Sequence, residues 1–201
     1  MNVPLRPASA GRRLALACVP WIAACAVPSL VRAAVSTSDE AADTAFDAPN
    51  VVEITPRLVT SGQPSARALA QLAARGYGEV IYLAPTSVPG AVADEAEIVS
   101  HQGLKYVNLP IRFAEPTPQD YERLAAELGA ASGPGAGRKT LVHCEANFRA
   151  SSMVFLYRTI ALKEDPQVAY ESVSRVWTPT GAWRRYIVAM LRDAGIAFEP
   201  Y

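Results

Sequence analysis

Leu141-Val142-His143-Cys144-Glu145-Ala146-Asn147-Phe148-Arg149-Ala150-Ser151 is the stretch on which the reading of this chain turns. An apolar strand-like run ends at a cysteine, four residues follow, and an arginine stands where a long apolar run begins. A strand that turns into a helix brings the amides of the turn and the positive end of the helix dipole to one spot, which suits an anion. Arg149 adds a planar fork of donors for an oxyanion. The same field favours thiolate over thiol, and thiols in such surroundings can ionise at roughly pH 4 to 7 instead of about 8.5. Cys144 is therefore a candidate nucleophile. Asn147 is among the few residues that tolerate positive φ, so the turn is feasible without glycine. The competing reading makes Cys144 a small buried hydrophobe, but a plain strand end needs neither His143 before it nor Arg149 after it.

Outward from this stretch, strands and helices alternate. Residues 139–143 read as a strand, and residues 150–162 as a helix apolar almost all round, hence central and buried. Upstream, Thr117 is a natural N-cap with Pro118 in the first turn, and Tyr121, Leu124, Ala125 and Leu128 share one face. Earlier still come strands at 104–111 and 79–84 and a helix at 92–102 that closes at Gly103. Ser61-Gly62-Gln63-Pro64 is a turn launching a helix toward Gly76, after short strands at 51–55 and 58–60. Downstream, Ala169, Val173, Val176 and Trp177 form one helical stripe, and Trp183, Ile187, Met190 and Leu191 another. Both tryptophans read as core, and Arg184-Arg185 as a solvated face. The pattern predicts an α/β domain in three layers, a mainly parallel central sheet flanked by helices.

The chain has 201 residues, half of them hydrophobic and 19% charged, with two histidines and three cysteines. Arg6, Arg12 and Arg13 precede an apolar run, and the first acidic residue is Asp39. Residues 1–33 therefore read as a secretory signal peptide cleaved after Ala33, residues 34–49 as a linker and residues 50–201 as the catalytic domain. This predicts an exported, periplasmic protein. Ile22-Ala23-Ala24-Cys25 leaves a lipoprotein anchor as an alternative, and an uncleaved membrane anchor is a second, although Pro20 and Pro28 interrupt the run. Any membrane contact would run through this segment alone. Its removal takes away four basic and no acidic residues, leaving about four net negative charges, a balance unsuited to nucleic acid. Cys144 becomes the only thiol, so no internal disulfide can form. His101 and His143 are too few, and Cys144 too close to His143, for a zinc site; no metal or other cofactor is expected.

The region from about Val51 to Ser151 resembles the cysteine-dependent, dual-specificity-like protein phosphatases. The likeness rests on Ser61-Gly62-Gln63-Pro64, on Gly76 before Val80-Ile81-Tyr82-Leu83, and on Gly103-Leu104-Lys105-Tyr106 before Leu109-Pro110-Ile111, all leading into His143-Cys144. The resemblance implies that Cys144 attacks phosphorus, Arg149 clamps the phosphoryl oxygens, His143 steadies loop and thiolate, and Ser151 assists breakdown of the phosphocysteine. Glu145, Ala146, Asn147, Phe148 and Ala150 would complete the binding loop. Glu115, 29 residues before Cys144, is the expected general acid, with Asp120 in reserve, although its place in a first helical turn better suits dipole stabilisation. The substrate would be a phosphorylated protein or small molecule. The phosphatase signature has five residues between Cys and Arg, whereas this chain has four. Four is also the spacing of rhodanese-type sulfurtransferases, which leaves a persulfide carrier on Cys144, or a non-catalytic phosphate-binding module, as alternatives. Glu145 would repel a phosphate dianion if it pointed inward and would be solvated if it pointed outward.

Overall fold

A computed structural model describes residues 45–131 and 137–201; the expected signal peptide and most of the expected linker lie outside the described residues. Five strands, β1 (Val52–Thr55), β2 (Leu58–Ser61), β3 (Tyr77–Tyr82), β4 (Lys105–Asn108) and β5 (Lys139–His143), form one sheet in the order β1-β2-β5-β3-β4. β1 and β2 are an antiparallel pair, and every other pairing is parallel. β5, which runs into Cys144, is thus the middle strand.

Helices cover both faces because successive strand residues point to opposite sides. Val80 and Leu141 face one way, into a core with Leu69 of α1 (Ala66–Leu69) and Val99 of α2 (Glu95–Ser100). Ile81 and Val142 face the other way, into the larger core. Its helices are α3 (Pro118–Ala131), α4 (Phe148–Leu156), α5 (Pro166–Ser174) and α6 (Gly181–Asp193). Trp183 is fully buried there and Trp177 packs against it, as their spacing predicts. The three-layer α/β expectation holds, with a mostly parallel sheet between helices.

Three local expectations change. The first helix is α-helical for four residues only, and its continuation to Gly76 is a series of turns. The central helix starts at Phe148 and not at residue 150, because Asn147 closes the preceding turn at φ 68°; it passes into a π-helical turn at Tyr157–Ala161. That wider turn carries the buried Arg158, which donates to Glu164, Ala169 O and Ser172 Oγ and so ties α4 to α5. Residues 46–49, read as linker, are docked: Pro49 O accepts from Gly62 N at 2.7 Å, Asp47 O accepts from Ser65 N at 3.1 Å, and Phe46 stacks on Tyr77.

Pairing continues past the strand ends. Leu83 N donates to His143 O at 2.8 Å and Ile111 N to Leu83 O at 3.0 Å. These bonds bring the segments after β3, β4 and β5 together at the carboxyl edge of the sheet, where parallel α/β folds place their ligands.

Candidate active site

Cys144 follows the last residue of β5, and its amide donates to Ser61 O at 3.3 Å. The chain then turns through Glu145, Ala146 and Asn147 into α4. A cleft of about 250 Å³ opens here, lined by Phe113, Cys144, Glu145, Ala146, Phe148 and Arg149. The first N–H groups of any helix lack intrahelical acceptors, so the start of α4 offers donors beside the thiol.

The Ser61-Gly62-Gln63-Pro64 turn braces this loop. Gln63 N donates to Glu145 O at 2.9 Å, and Gly62 pairs with Ala146 as an isolated bridge. A Cβ on Gly62 would lie 2.7 Å from Glu145 O and 2.9 Å from Pro49 Cβ, so only glycine permits the approach. Asn50 Nδ2 donates to Ala146 O at 3.0 Å, while Asn147 Nδ2 donates to Asn50 O at 2.6 Å and Thr60 Oγ1 at 3.0 Å. Asn147 is thus a buried lock on the loop in a left-handed conformation. Asn147→Ala is expected to lose about 2–3 kcal/mol from backbone strain and lost hydrogen bonds together, and Asn147→Gly only the hydrogen-bond part. Urea denaturation of both variants checks this; equal losses would remove strain from the account.

His143 is fully buried, its Nε2 2.6 Å from Glu95 Oε1, and Gln63 Nε2 donates to Glu95 Oε2 at 2.7 Å. Where Glu95 is ionised it can only accept, and Nε2 is then the donor of this bond. Tyr82 stacks on the imidazole with centroids 4.7 Å apart. Burial, and then the nearby Glu95, Glu145 and Cys144, push the Tyr82 phenol up to about 12, so it stays neutral. His143 and Glu95 are outside the cleft lining. Glu95 had no sequence signal, since it sits 48 residues before its partner in a helix whose first turn is acidic anyway. Glu95→Ala strands a buried imidazole donor and should lower stability by about 2–3 kcal/mol. A loss below about 0.5 kcal/mol in the same denaturation assay, the range of a neutral surface change, would mean the triad holds nothing in place.

Arg149 is 5% exposed. Its Nε donates to Ile111 O at 3.0 Å, its Nη1 to Glu145 Oε2 at 3.2 Å, and its guanidinium lies 5.0 Å from the centre of the Phe113 ring. A cation near a helix N-terminus is opposed by the dipole, and here a carbonyl, a carboxylate and an aromatic face offset that cost. Glu145 therefore points along the cleft wall and occupies one arm of the fork. Phe148 stacks on Trp177 at 4.6 Å and makes the cleft's aromatic side with Phe113.

Glu115, Asp120, Ala150 and Ser151 do not line the cleft. Glu115 is largely exposed, pairs with Arg112 at 3.1 Å and is absent from the cleft lining. Asp120 and Thr117 form a reciprocal cap on α3: Thr117 N and Oγ1 donate to Asp120 Oδ2, Asp120 N donates to Thr117 Oγ1, and Arg123 pairs with the carboxylate. Ala150 and Ser151 are buried in the first turns of α4, where Ser151 Oγ donates to Phe148 O at 3.4 Å. Arg184 pairs with Glu199 at the surface.

No protein-family profile matches the chain. A "Beta-lactamase hydrolase-like protein" of Xylella fastidiosa (strain Temecula1 / ATCC 700964) is 30% identical over 114 residues, 55% of this chain. The chain spans only about a quarter of that relative's length. Among solved structures, a "Putative phosphatase (DUF442)" from Shewanella putrefaciens CN-32 is 25% identical with a TM-score of 0.65, over 73% of this chain and 94% of the other. Tk-PTP in its active form is 19% identical, TM-score 0.57, over 73% and 96%. TpbA of P. aeruginosa is 19% identical, TM-score 0.55, over 72% and 84%. The chain therefore has the fold of the dual-specificity-type cysteine phosphatases, with Cys144 on the loop between β5 and α4 and Arg149 in the first turn of α4.

Proposed function

We propose that the protein is an exported phosphoric monoester hydrolase that works through a phosphocysteine intermediate at Cys144. One observation carries the reading: Cys144 and the Arg149 guanidinium line the same small cleft, at the carboxyl edge of the sheet and the N-terminus of α4. Such a site can hold a phosphoryl group on backbone amides and a planar cation while a thiolate attacks from its floor. The Cys144 sulfur forms a bond to phosphorus as the ester oxygen leaves with its electron pair. Water then takes the phosphoryl group and returns the electron pair to sulfur. Likeness to phosphatases supports the class, and a phosphotyrosine complex of TpbA supports a phosphorylated protein or small molecule as substrate.

Sulfur transfer is the second reading, favoured by the four-residue loop and by Glu115 not being among the residues that line the cleft, since a persulfide carrier needs no acid there. A non-catalytic phosphate-binding module is the third. The purified protein is offered p-nitrophenyl phosphate and, separately, thiosulfate with cyanide, each with Cys144→Ser as blank. Phosphate release dependent on Cys144 is the expected result. Thiocyanate without phosphate release would replace hydrolysis by sulfur transfer, and silence in both assays would leave the binding module.

A further inference from the structure

We infer that Glu145, and not Glu115, is the proton donor and acceptor of this site, an assignment that rests on the hydrolase reading. Glu145 is the one carboxylate among the residues lining the cleft, next in sequence to the thiol. Its side chain is 40% exposed, enough to reorient, and among the described residues is held by Arg149 Nη1 at 3.2 Å. Glu115 is 65% exposed and paired with Arg112. Among the described residues, Arg149 on α4 pairs with Glu145, Cys144 precedes it on the loop, and Tyr82 at the end of β3, which stays neutral, feels its charge.

When an oxyanion seats on Arg149 it displaces the Glu145 carboxylate from Nη1. Glu145 then lies beside a dianion and a thiolate without its cation, and like charge favours its protonated form. Substrate binding thereby loads the acid. As the S–P bond forms and the P–O bond breaks, the departing oxygen takes the Glu145 proton. In the second half, the attacking water gives its proton to the Glu145 carboxylate as the S–P bond breaks toward sulfur.

The test is Glu145→Gln, which keeps shape and removes the titrating group. Read in kcat/KM, which covers only the steps through departure of the leaving group, the variant should lose about 10²-fold or more with phenyl phosphate, whose leaving group is basic, and under about tenfold with p-nitrophenyl phosphate, a good leaving group. Equal losses on both esters, or faster turnover of both, would make Glu145 a repelling charge only and overturn the assignment. Binding of inorganic phosphate to Cys144→Ser, followed by calorimetry in two buffers of different ionisation enthalpy, should show proton uptake that Glu145→Gln abolishes. Uptake unchanged by Glu145→Gln would likewise overturn it. Wild-type protein that binds phosphate with this uptake but hydrolyses neither ester would defeat the hydrolase reading instead, and with it the catalytic role.

Discussion

Cys144→Ser is expected to lose roughly 10³- to 10⁶-fold in kcat toward p-nitrophenyl phosphate, the range seen when a nucleophile is removed and binding is left intact. The residue is fully buried apart from its place on the cleft floor, its amide is fixed by Ser61 O, and serine is close in size, so the fold should survive. What changes is the nucleophile. A hydroxyl does not ionise near neutral pH and is a far weaker nucleophile than a thiolate. Inorganic phosphate should still bind the variant, because the amides and Arg149 remain. The paired measurement is steady-state release of p-nitrophenol and calorimetric phosphate binding. Residual turnover within about tenfold of wild type would end the thiolate mechanism, since removing a true nucleophile costs far more.

Arg149→Lys should lower kcat/KM by about 10²- to 10³-fold, the usual cost of one transition-state donor. Arg149 does two jobs with one planar group. Its Nε holds Ile111 O, which fixes the loop carrying Phe113, while its terminal nitrogens face the cleft. Lysine offers one compact charge that can reach the carbonyl or the oxyanion but cannot span both. Phe113 also loses the guanidinium face against which it lies. The loss should therefore appear in KM as well as kcat, and weaker phosphate binding to the doubly substituted Cys144→Ser, Arg149→Lys protein would separate the two. A change of less than about fivefold in kcat/KM, too little for a lost transition-state donor, would reduce Arg149 to a structural prop.

Much of this molecule is legible in one dimension. Alternating apolar periods of two and about three and a half residues predict the strands and helices, and the Thr117–Asp120 pair announces the start of α3 by its capping pattern. Boundaries shift where a tertiary partner decides them. Asn147 starts α4 early because Thr60 and Asn50 hold it in a left-handed conformation, and α1 breaks off after four residues although its apolar spacing continues to Leu72. Residues 46–49 lack any buried-residue pattern, yet the Gly62 turn captures them through backbone bonds that composition does not record.

The site divides along the same line. The order strand, Cys144, four residues, Arg149, helix is a local property: neighbouring residues are tethered by the chain, so their spacing alone determines that a thiol and a guanidinium meet at a helix N-terminus. Which carboxylate joins them is not local. Glu115 has a plausible distance in sequence from Cys144, but its loop directs it toward Arg112, while Glu145 is turned along the cleft by its bond to Arg149. Glu95 reaches His143 only because α2 packs over the same face of the sheet. Side-chain direction in loops and contacts between distant elements depend on how separate segments pack, and no spacing along the chain encodes that; the sequence alone determined the thiol and its cation, and the tertiary structure decided which acid stands beside them.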